Sequence, residues 1–189
     1  MNKKMIFFIA AAVILVSTAS AQATNGYGQL TWGASIAETL RLYPNLVKDS
    51  RGIVDQRSFM TDYSAIGVEC YSETNVGNDI DRRLFYFYQG RLFLVREQYN
   101  IRNISIATIR SRLEPVYGPF TENPTERLRT RCPLGVNVNI TVNGFSKQVN
   151  NNLEIEINLI EGSSGLIRRS GIVVDYRNPS VWRQVIAAR

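Results

Sequence analysis

The residues that carry chemistry in this chain are carboxylates, arginines and two cysteines, because the sequence contains no histidine. Without an imidazole the chain cannot form a Ser-His-Asp triad, a Cys-His pair or a histidine-ligated zinc site. Two cysteines are too few to build a structural zinc site alone. The sequence also has no phosphate-binding loop, dinucleotide-binding glycine pattern or calcium-binding loop. We therefore expect no cofactor and no metal.

A pair of carboxylates is the one arrangement that could support catalysis. Glycoside hydrolysis needs two acids about 5–10 Å apart, and Glu154 and Glu156 would lie about 7 Å apart on one face of a strand. Alternating glutamate is also the ordinary polar side of an amphipathic strand, which is the interpretation that we favour. A hydrolase of envelope polysaccharide is the alternative.

A second candidate site is a basic one. Arg127, Arg129 and Arg131 recur at every second residue, so in an extended segment they would share a face and could hold an acidic partner or a polyanion. Residues 121–130 are polar and include Pro124, which predicts a long surface loop. The alternative is that the three arginines are simply solvated.

The N-terminus has the pattern of a secretory signal peptide. Two lysines precede an apolar stretch from Met5 to Val16, and small residues follow. Cleavage is expected after Ala21 or Ala23, and 24–189 should form a single domain without a membrane span. The alternative is an uncleaved anchor. We expect a periplasmic or secreted protein.

The cysteine pair fits this setting. Cys70 and Cys132 would meet an oxidising compartment after export, so the simplest expectation is one disulfide that closes a long loop. Two buried free thiols are the alternative.

The charge of the chain is compatible with an anionic partner. The formal net charge is +6, of which the leader lysines contribute two. Export and the absence of any nucleic-acid-binding motif argue against nucleic acid, so the expected partner is an envelope protein or an anionic envelope component. Pairing of the arginines with surface acids is the alternative. The sequence does not indicate an oligomeric state.

An aromatic hairpin is predicted between Arg82 and Tyr99, with a tight turn at Gln89-Gly90. Simple alternation would place Phe85 opposite Leu94 and let Arg82 reach Glu97. Both sides of the hairpin are apolar, which is typical of central strands covered on each face.

Two tyrosines of this hairpin are further binding candidates. Tyr86 and Tyr88 could line an exposed sheet face, because tyrosine combines a large rigid surface with a polar group. Packing in the core is the alternative.

The sequence contains three candidate helices. Ser35 and Glu38 form a capping box for a helix that extends to Tyr43. Ser105 begins a second helix that stops at Gly118-Pro119, and Pro115 is expected to end or bend it. Asn178-Pro179 begins the third, in which Val181, Val185 and Ile186 are expected to face inward. Ser-Ile-Ala occurs at 35–37 and again at 105–107, which raises the possibility of a tandem repeat.

The second half of the chain predicts strands. Residues 136–142, 153–159 and 166–176 are rich in alternating apolar residues. Asn143-Gly144 predicts a type I′ turn, and a second turn is expected at 150–152. The fold class is α+β: an antiparallel sheet of six or seven strands with two or three helices against it, in one domain.

Several motifs resemble those of small exported bacterial proteins of unknown function. They are the W-G-x-S-I-x-E opening at 32–38, Tyr43-Pro44, the aromatic hairpin and Tyr117-Gly118. The order of elements also resembles the helix-plus-sheet repeat of β-lactamase-inhibitor-like proteins. The resemblance implies a fold and an exported setting, and it implies no catalytic or binding residue.

The sequence as a whole favours an exported, non-enzymatic binding module. The alternatives are the polysaccharide hydrolase and a purely structural envelope protein.

Overall fold

The structure, a computed structural model, describes residues 25–50, 63–77, 79–131, 137–165 and 167–188. The expected signal peptide lies outside the described residues, as does Cys132.

The described residues form three α-helices and eleven β-strands, so the predicted α+β class is confirmed. The helices are α1 (Ile36–Leu42), α2 (Ile106–Tyr117) and α3 (Pro179–Ala187). The strands are β1 (Gly26–Tyr27), β2 (Leu30–Thr31), β3 (Val47–Lys48), β4 (Val68–Thr74), β5 (Ile80–Tyr88), β6 (Arg91–Tyr99), β7 (Thr121–Glu122), β8 (Glu126–Arg131), β9 (Asn137–Gln148), β10 (Glu154–Ser164) and β11 (Ile167–Arg177). A 3₁₀ helix at Tyr63–Ile66 precedes β4.

Nine of these strands form one antiparallel sheet, somewhat larger than the six or seven strands predicted. The order is β3-β4-β5-β6-β11-β10-β9, and β7 and β8 pair in succession along the outer edge of β9. Each half contains three sequential strands, β4 to β6 and β9 to β11, and each is preceded by a helix. The two halves meet where β6 pairs with β11, an arrangement that fits the tandem repeat.

The helices pack on both faces of this sheet. Directly paired residues share a face, so Phe85, Val95, Tyr176 and Ile155 define face A. Helices α1 and α2 both cover face A, over the first and second halves respectively. Helix α3 covers the opposite side, face B, where it packs against a cluster from β4, β5 and β6.

The helix boundaries follow local capping chemistry, as predicted. Ser35 and Glu38 form the reciprocal capping box of α1, and Ser105 accepts from the backbone N–H of Thr108 at the start of α2. Asn178 caps α3 by accepting from two backbone amides. In α3, however, Ile186 is 41% exposed, so the prediction that it faces inward is wrong.

The aromatic hairpin forms with the predicted turn but with a shifted register. Gln89 and Gly90 both have positive φ, as a type I′ turn requires. Phe93 then forms a bulge: Phe87 pairs with Leu92, whereas Tyr86 pairs with Leu94. The predicted pairing of Phe85 with Leu94 is therefore wrong.

The bulge changes which residues face each side. Phe85 pairs with Val95, and Arg83, rather than the predicted Arg82, lies opposite Glu97. One extra residue in β6 moves every later side chain of that strand to the opposite face, because side chains alternate with a period of two.

The predicted turn at Asn143-Gly144 is also wrong, because β9 runs straight through both residues. Gly144 pairs with Asn158 on β10, and a Cβ at position 144 would collide with the Asn158 side chain and the Ile157 carbonyl. The glycine is therefore required by close packing in the middle of a strand. The chain turns later, at 150–152, as predicted.

Residues 121–130 were expected to form a surface loop, and this too is wrong. They contain β7 and most of β8, both of which pair with β9. Long-range pairing with a neighbouring strand thus gives an extended conformation to a polar segment that has no apolar alternation of its own.

We predict that Gly144→Ala destabilises the protein by about 1–3 kcal/mol, because the new methyl group overpacks the contact with Asn158 and Ile157. Gly171→Ala on the neighbouring region of the sheet is the matched control, since no atom lies within 4 Å of a Cβ placed there. Urea unfolding of both variants measures the difference. Equal losses in the two variants would show that the collision at position 144 does not account for the cost.

Candidate functional site

The predicted arginines lie on the outermost strand of the second half of the sheet. Arg127 pairs with Thr141 and Arg129 with Asn139, and both arginine side chains are exposed. Arg131 occupies the next alternate position, opposite Asn137. The spacing therefore places Arg127 and Arg129 on one face, face A, as an extended segment requires.

The same face continues inward across β9, β10 and β11 as a polar surface. Rows of paired residues connect Arg127 through Thr141 and Glu161 to Ser170, and Arg129 through Asn139 and Ser163 to Arg168. We call this surface the arginine face; it comprises Arg127, Arg129, Asn139, Thr141, Glu161, Ser163, Arg168 and Ser170. Arg168 was not a predicted site residue, because only the register of four strands brings it into line with Arg129.

The arginine face is uncovered because the strands extend beyond α2. Helix α2 packs over face A as far as Phe145, Leu159 and Ile172. The face A residues that follow on these strands are exposed or half-buried, and they are polar. Adjacent strands are about 4.8 Å apart, so the row from Arg129 to Arg168 spans about 14 Å.

The arginines of this face have no acidic partner among the described residues. Arg127, Arg129 and Arg168 form no ion pair there, whereas Arg83, Arg96 and Arg177 are each ion-paired and largely buried. Glu161 is the one acid on the face, and it is exposed. The local charge is therefore positive.

Tyr86 and Tyr88 lie beneath α3 rather than on an open sheet face. Tyr86 is 4% exposed and belongs to the core cluster of face B, and Tyr88 is half-buried against the same cluster. The Arg96 guanidinium stacks over the Tyr86 ring, 5.8 Å from its centroid. Packing in the core, the alternative interpretation, describes the position of Tyr86.

Cys70 is buried in the same cluster beneath α3. Burial raises the pKa of its thiol to about 12, so the thiolate fraction at neutral pH is very small. Because Cys132 lies outside the described residues, the disulfide between the two stays a prediction.

The two candidate catalytic carboxylates share one arginine. On face B, Arg177 binds Glu154 through Nε at 2.9 Å and Glu156 through Nη1 at 2.8 Å. A hydrolase needs its two acids on opposite sides of a substrate, whereas both of these are directed at the same guanidinium. Glu154 does line a surface cavity of about 600 Å³ beside Trp182 and Arg183, but Glu156 does not.

A polar cluster surrounds Glu97 on face A, a residue that the sequence analysis treats only as a cross-strand partner. The hydroxyl of Tyr27 donates to Oε1, and that of Tyr99 donates to Oε2 at 2.8 Å. Tyr176 donates to Oε2 at 3.5 Å, and Arg83 Nε lies 3.4 Å from Oε1. Glu97 itself is only 5% exposed.

This Glu97 cluster keeps its tyrosines protonated. Burial, reinforced by the negative charge of Glu97, raises the pKa of Tyr27, Tyr99 and Tyr176 above the ordinary value, and raises the pKa of Tyr117 to about 12. Each hydroxyl is thus held as a donor, which suits a structural network and does not provide a base. The cluster joins β1, β5, β6 and β11, which are far apart in sequence.

Metal and membrane features are also absent from the described part of the chain. No group of three or more Cys, Asp or Glu side chains there is arranged to hold a metal ion. No helix in these ranges is both long and apolar enough to cross a bilayer.

Comparison with known proteins identifies no relative of this chain. The chain matches no protein-family model, and it has no significant match among the curated proteins or the solved structures. The resemblance to small exported bacterial proteins and to β-lactamase-inhibitor-like proteins therefore stays a prediction.

We predict that stability falls steeply above pH 10. A tyrosine whose folded pKa is raised contributes fully below its unfolded pKa of about 10, and the contribution is lost as pH rises further. Absorbance at 295 nm should show at least four of the nine tyrosines ionising together with loss of circular dichroism. In Tyr99→Phe the fall should be shallower, by about 1.4 kcal/mol per pH unit. Full ionisation with the fold intact would contradict the burial of these hydroxyls.

We also predict that Glu97→Gln lowers the free energy of unfolding by about 3 kcal/mol, because the largely buried Arg83 loses one of its two carboxylates. Glu69→Gln is the control, since Glu69 forms a surface ion pair with Lys48 that should be worth less than about 1 kcal/mol. Chemical denaturation gives both values. Similar losses in the two variants would remove Glu97 from its central role.

Proposed function

We propose that the protein is an exported, non-enzymatic binding module that holds an anionic partner on the arginine face. The observation that carries this proposal is the position of Arg127, Arg129 and Arg168 on one uncovered surface, without an acidic partner among the described residues. The other large cluster of charge, around Glu97, is internal and satisfied.

The arrangement is suited to binding because the arginines stand on a paired sheet. Strand β8 pairs with β9 and the start of β11 pairs with β10, so the backbone positions that carry the arginines are already fixed when a partner arrives. Asn139, Thr141 and Ser163 add hydrogen-bonding groups between the charges. Arginine forms two parallel hydrogen bonds with a carboxylate or phosphate, which gives direction as well as attraction.

The strength of such a surface is limited by solvent. An exposed ion pair contributes about 0.2–1 kcal/mol, so three of them supply at most about 3 kcal/mol. Binding through charge alone should therefore be weak and sensitive to salt, and a tighter complex needs a multivalent partner or further contacts.

The expected setting supports the choice of an anionic partner. A chain with the predicted leader would be exported to an envelope whose surfaces and many proteins are negatively charged, and its own net charge is positive. Periplasmic or secreted placement is part of this proposal.

The test uses defined anionic probes: polyglutamate, vesicles that contain phosphatidylglycerol, and polygalacturonate. We expect saturable binding of at least one probe at 50 mM salt and a marked loss at 500 mM. Changing Arg127, Arg129 and Arg168 to Ala should weaken that binding by about tenfold or more.

The matched control changes three exposed arginines elsewhere, Arg41, Arg102 and Arg169, and so alters the net charge equally. Arg169 adjoins Arg168 but lies on face B. Equal weakening by both triple variants would show that net charge alone is responsible. That result, or the failure of every probe to bind, would overturn the proposal.

A further inference from the structure

Strand β8 has one backbone edge that no strand within the described ranges uses. Its six residues, Glu126–Arg131, pair with β9 on one side. On the other side the alternate backbone N–H and C=O groups of an edge strand point outward and can pair with another extended chain. The same strand carries Arg127 and Arg129 of the arginine face.

We propose that an acidic segment of a partner polypeptide adds to this edge of β8 as a further strand, with carboxylates at alternate positions. The inference rests on the proposed function and narrows it to one class of partner. Alternate residues of any strand are about 6.8 Å apart, so acids at positions i and i+2 of the added strand match the spacing of Arg127 and Arg129. Paired residues on adjacent strands have Cβ atoms about 5 Å apart, within reach of a guanidinium.

The residue between the two arginines specifies a further feature of the partner. Leu128 pairs with the buried Ile140 on face B and is itself 38% exposed. A residue between the two acids of the added strand would lie beside Leu128. An apolar residue there would remove more of Leu128 from water, so the favoured pattern is acidic, apolar, acidic.

Backbone pairing explains why a polypeptide fits better than other anions. A polysaccharide or a lipid headgroup can neutralise the arginines, but it cannot pair with a row of strand amides and carbonyls. Those main-chain hydrogen bonds are the additional contacts that the exposed ion pairs of Arg127 and Arg129 need for a stable complex.

A second copy of this chain is a poor occupant of the same edge. Pairing of β8 with β8 would bring arginines of the two copies close together, and like charges opposite each other on a sheet are destabilising. The charge of the strand thus disfavours self-association and favours an acidic segment.

Arg168 separates strand addition from general attraction to the face. It lies on β11, three strands inward from β8, so an added strand would be four strands, or about 19 Å, away from it. Strand addition therefore depends on Arg127 and Arg129 but not on Arg168. A polyanion spread over the arginine face depends on all three.

The first experiment measures the affinity of the protein for two peptides of equal composition and charge. One is Thr-Glu-Val-Glu-Val-Glu-Thr, in which the acids alternate, and the other is Glu-Glu-Glu-Thr-Val-Val-Thr, in which they are grouped. We expect the alternating peptide to bind at least tenfold more tightly. Equal affinity would overturn strand addition and leave charge as the only determinant.

The second experiment methylates the backbone nitrogens of the alternating peptide in two complementary sets. On an added strand one set faces β8 and the other faces solvent, so one methylated peptide should lose at least tenfold in affinity and the other should change little. Similar effects of both sets would contradict backbone pairing.

The variants complete the test. The double variant Arg127→Ala with Arg129→Ala should bind the alternating peptide at least tenfold more weakly than the unaltered protein. Arg168→Ala should change that affinity by less than twofold. An equal dependence on Arg168 would overturn the inference but support the arginine face. Binding of polyglutamate, vesicles or polygalacturonate without binding of the alternating peptide would likewise overturn strand addition but support the arginine face. If no anionic probe binds, the proposed function fails as well.

Discussion

The pairing of β6 with β11 is the interaction on which the rest of the structure depends. It joins the two halves of the nine-stranded sheet, and charged side chains are buried on both faces of the junction. On face B, Arg96 binds Asp175 through two hydrogen bonds of 2.7 Å, and the two residues are 6% and 3% exposed. On face A, the Glu97 carboxylate accepts hydrogen bonds from the hydroxyls of Tyr27, Tyr99 and Tyr176. A shift of one residue would send each charge to the wrong face and leave it unpaired, so these pairs specify the register.

The position of the proposed binding surface follows from where the covering helices end. Helices α1 and α2 are short compared with the length of the sheet, and β9, β10 and β11 extend past them. A sheet end without a helix must be polar on its open side, and the asparagine, serine and threonine rows meet that need. Solubility of this open side does not require arginine, whose long side chain adds a full charge and a directional set of hydrogen-bond donors. The architecture therefore leaves this surface open, and a few arginines give it a positive charge.

Much of the local structure can be predicted because its causes are local. The capping box at Ser35, the N-cap at Asn178 and the turn at Gln89-Gly90 depend on groups within a few residues of each other, and all three form as expected. The fold class follows from the alternation of apolar residues and the spacing of the turns. Part of the candidate site could be predicted in the same way, since the spacing of Arg127 and Arg129 implies a common face in any extended segment.

The sequence alone determined the class of the fold, the helix starts and the lack of imidazole chemistry, because each depends on residue type and near neighbours. Only the tertiary structure decided that Phe93 bulges, that Gly144 lies within a strand beneath Asn158, and that β8 is an edge. It also brought Arg168 into line with Arg129 across four strands. These features depend on which strands become neighbours and in what register. Strand neighbours and register depend on the packing of the whole chain, so they cannot be read from any short stretch of residues.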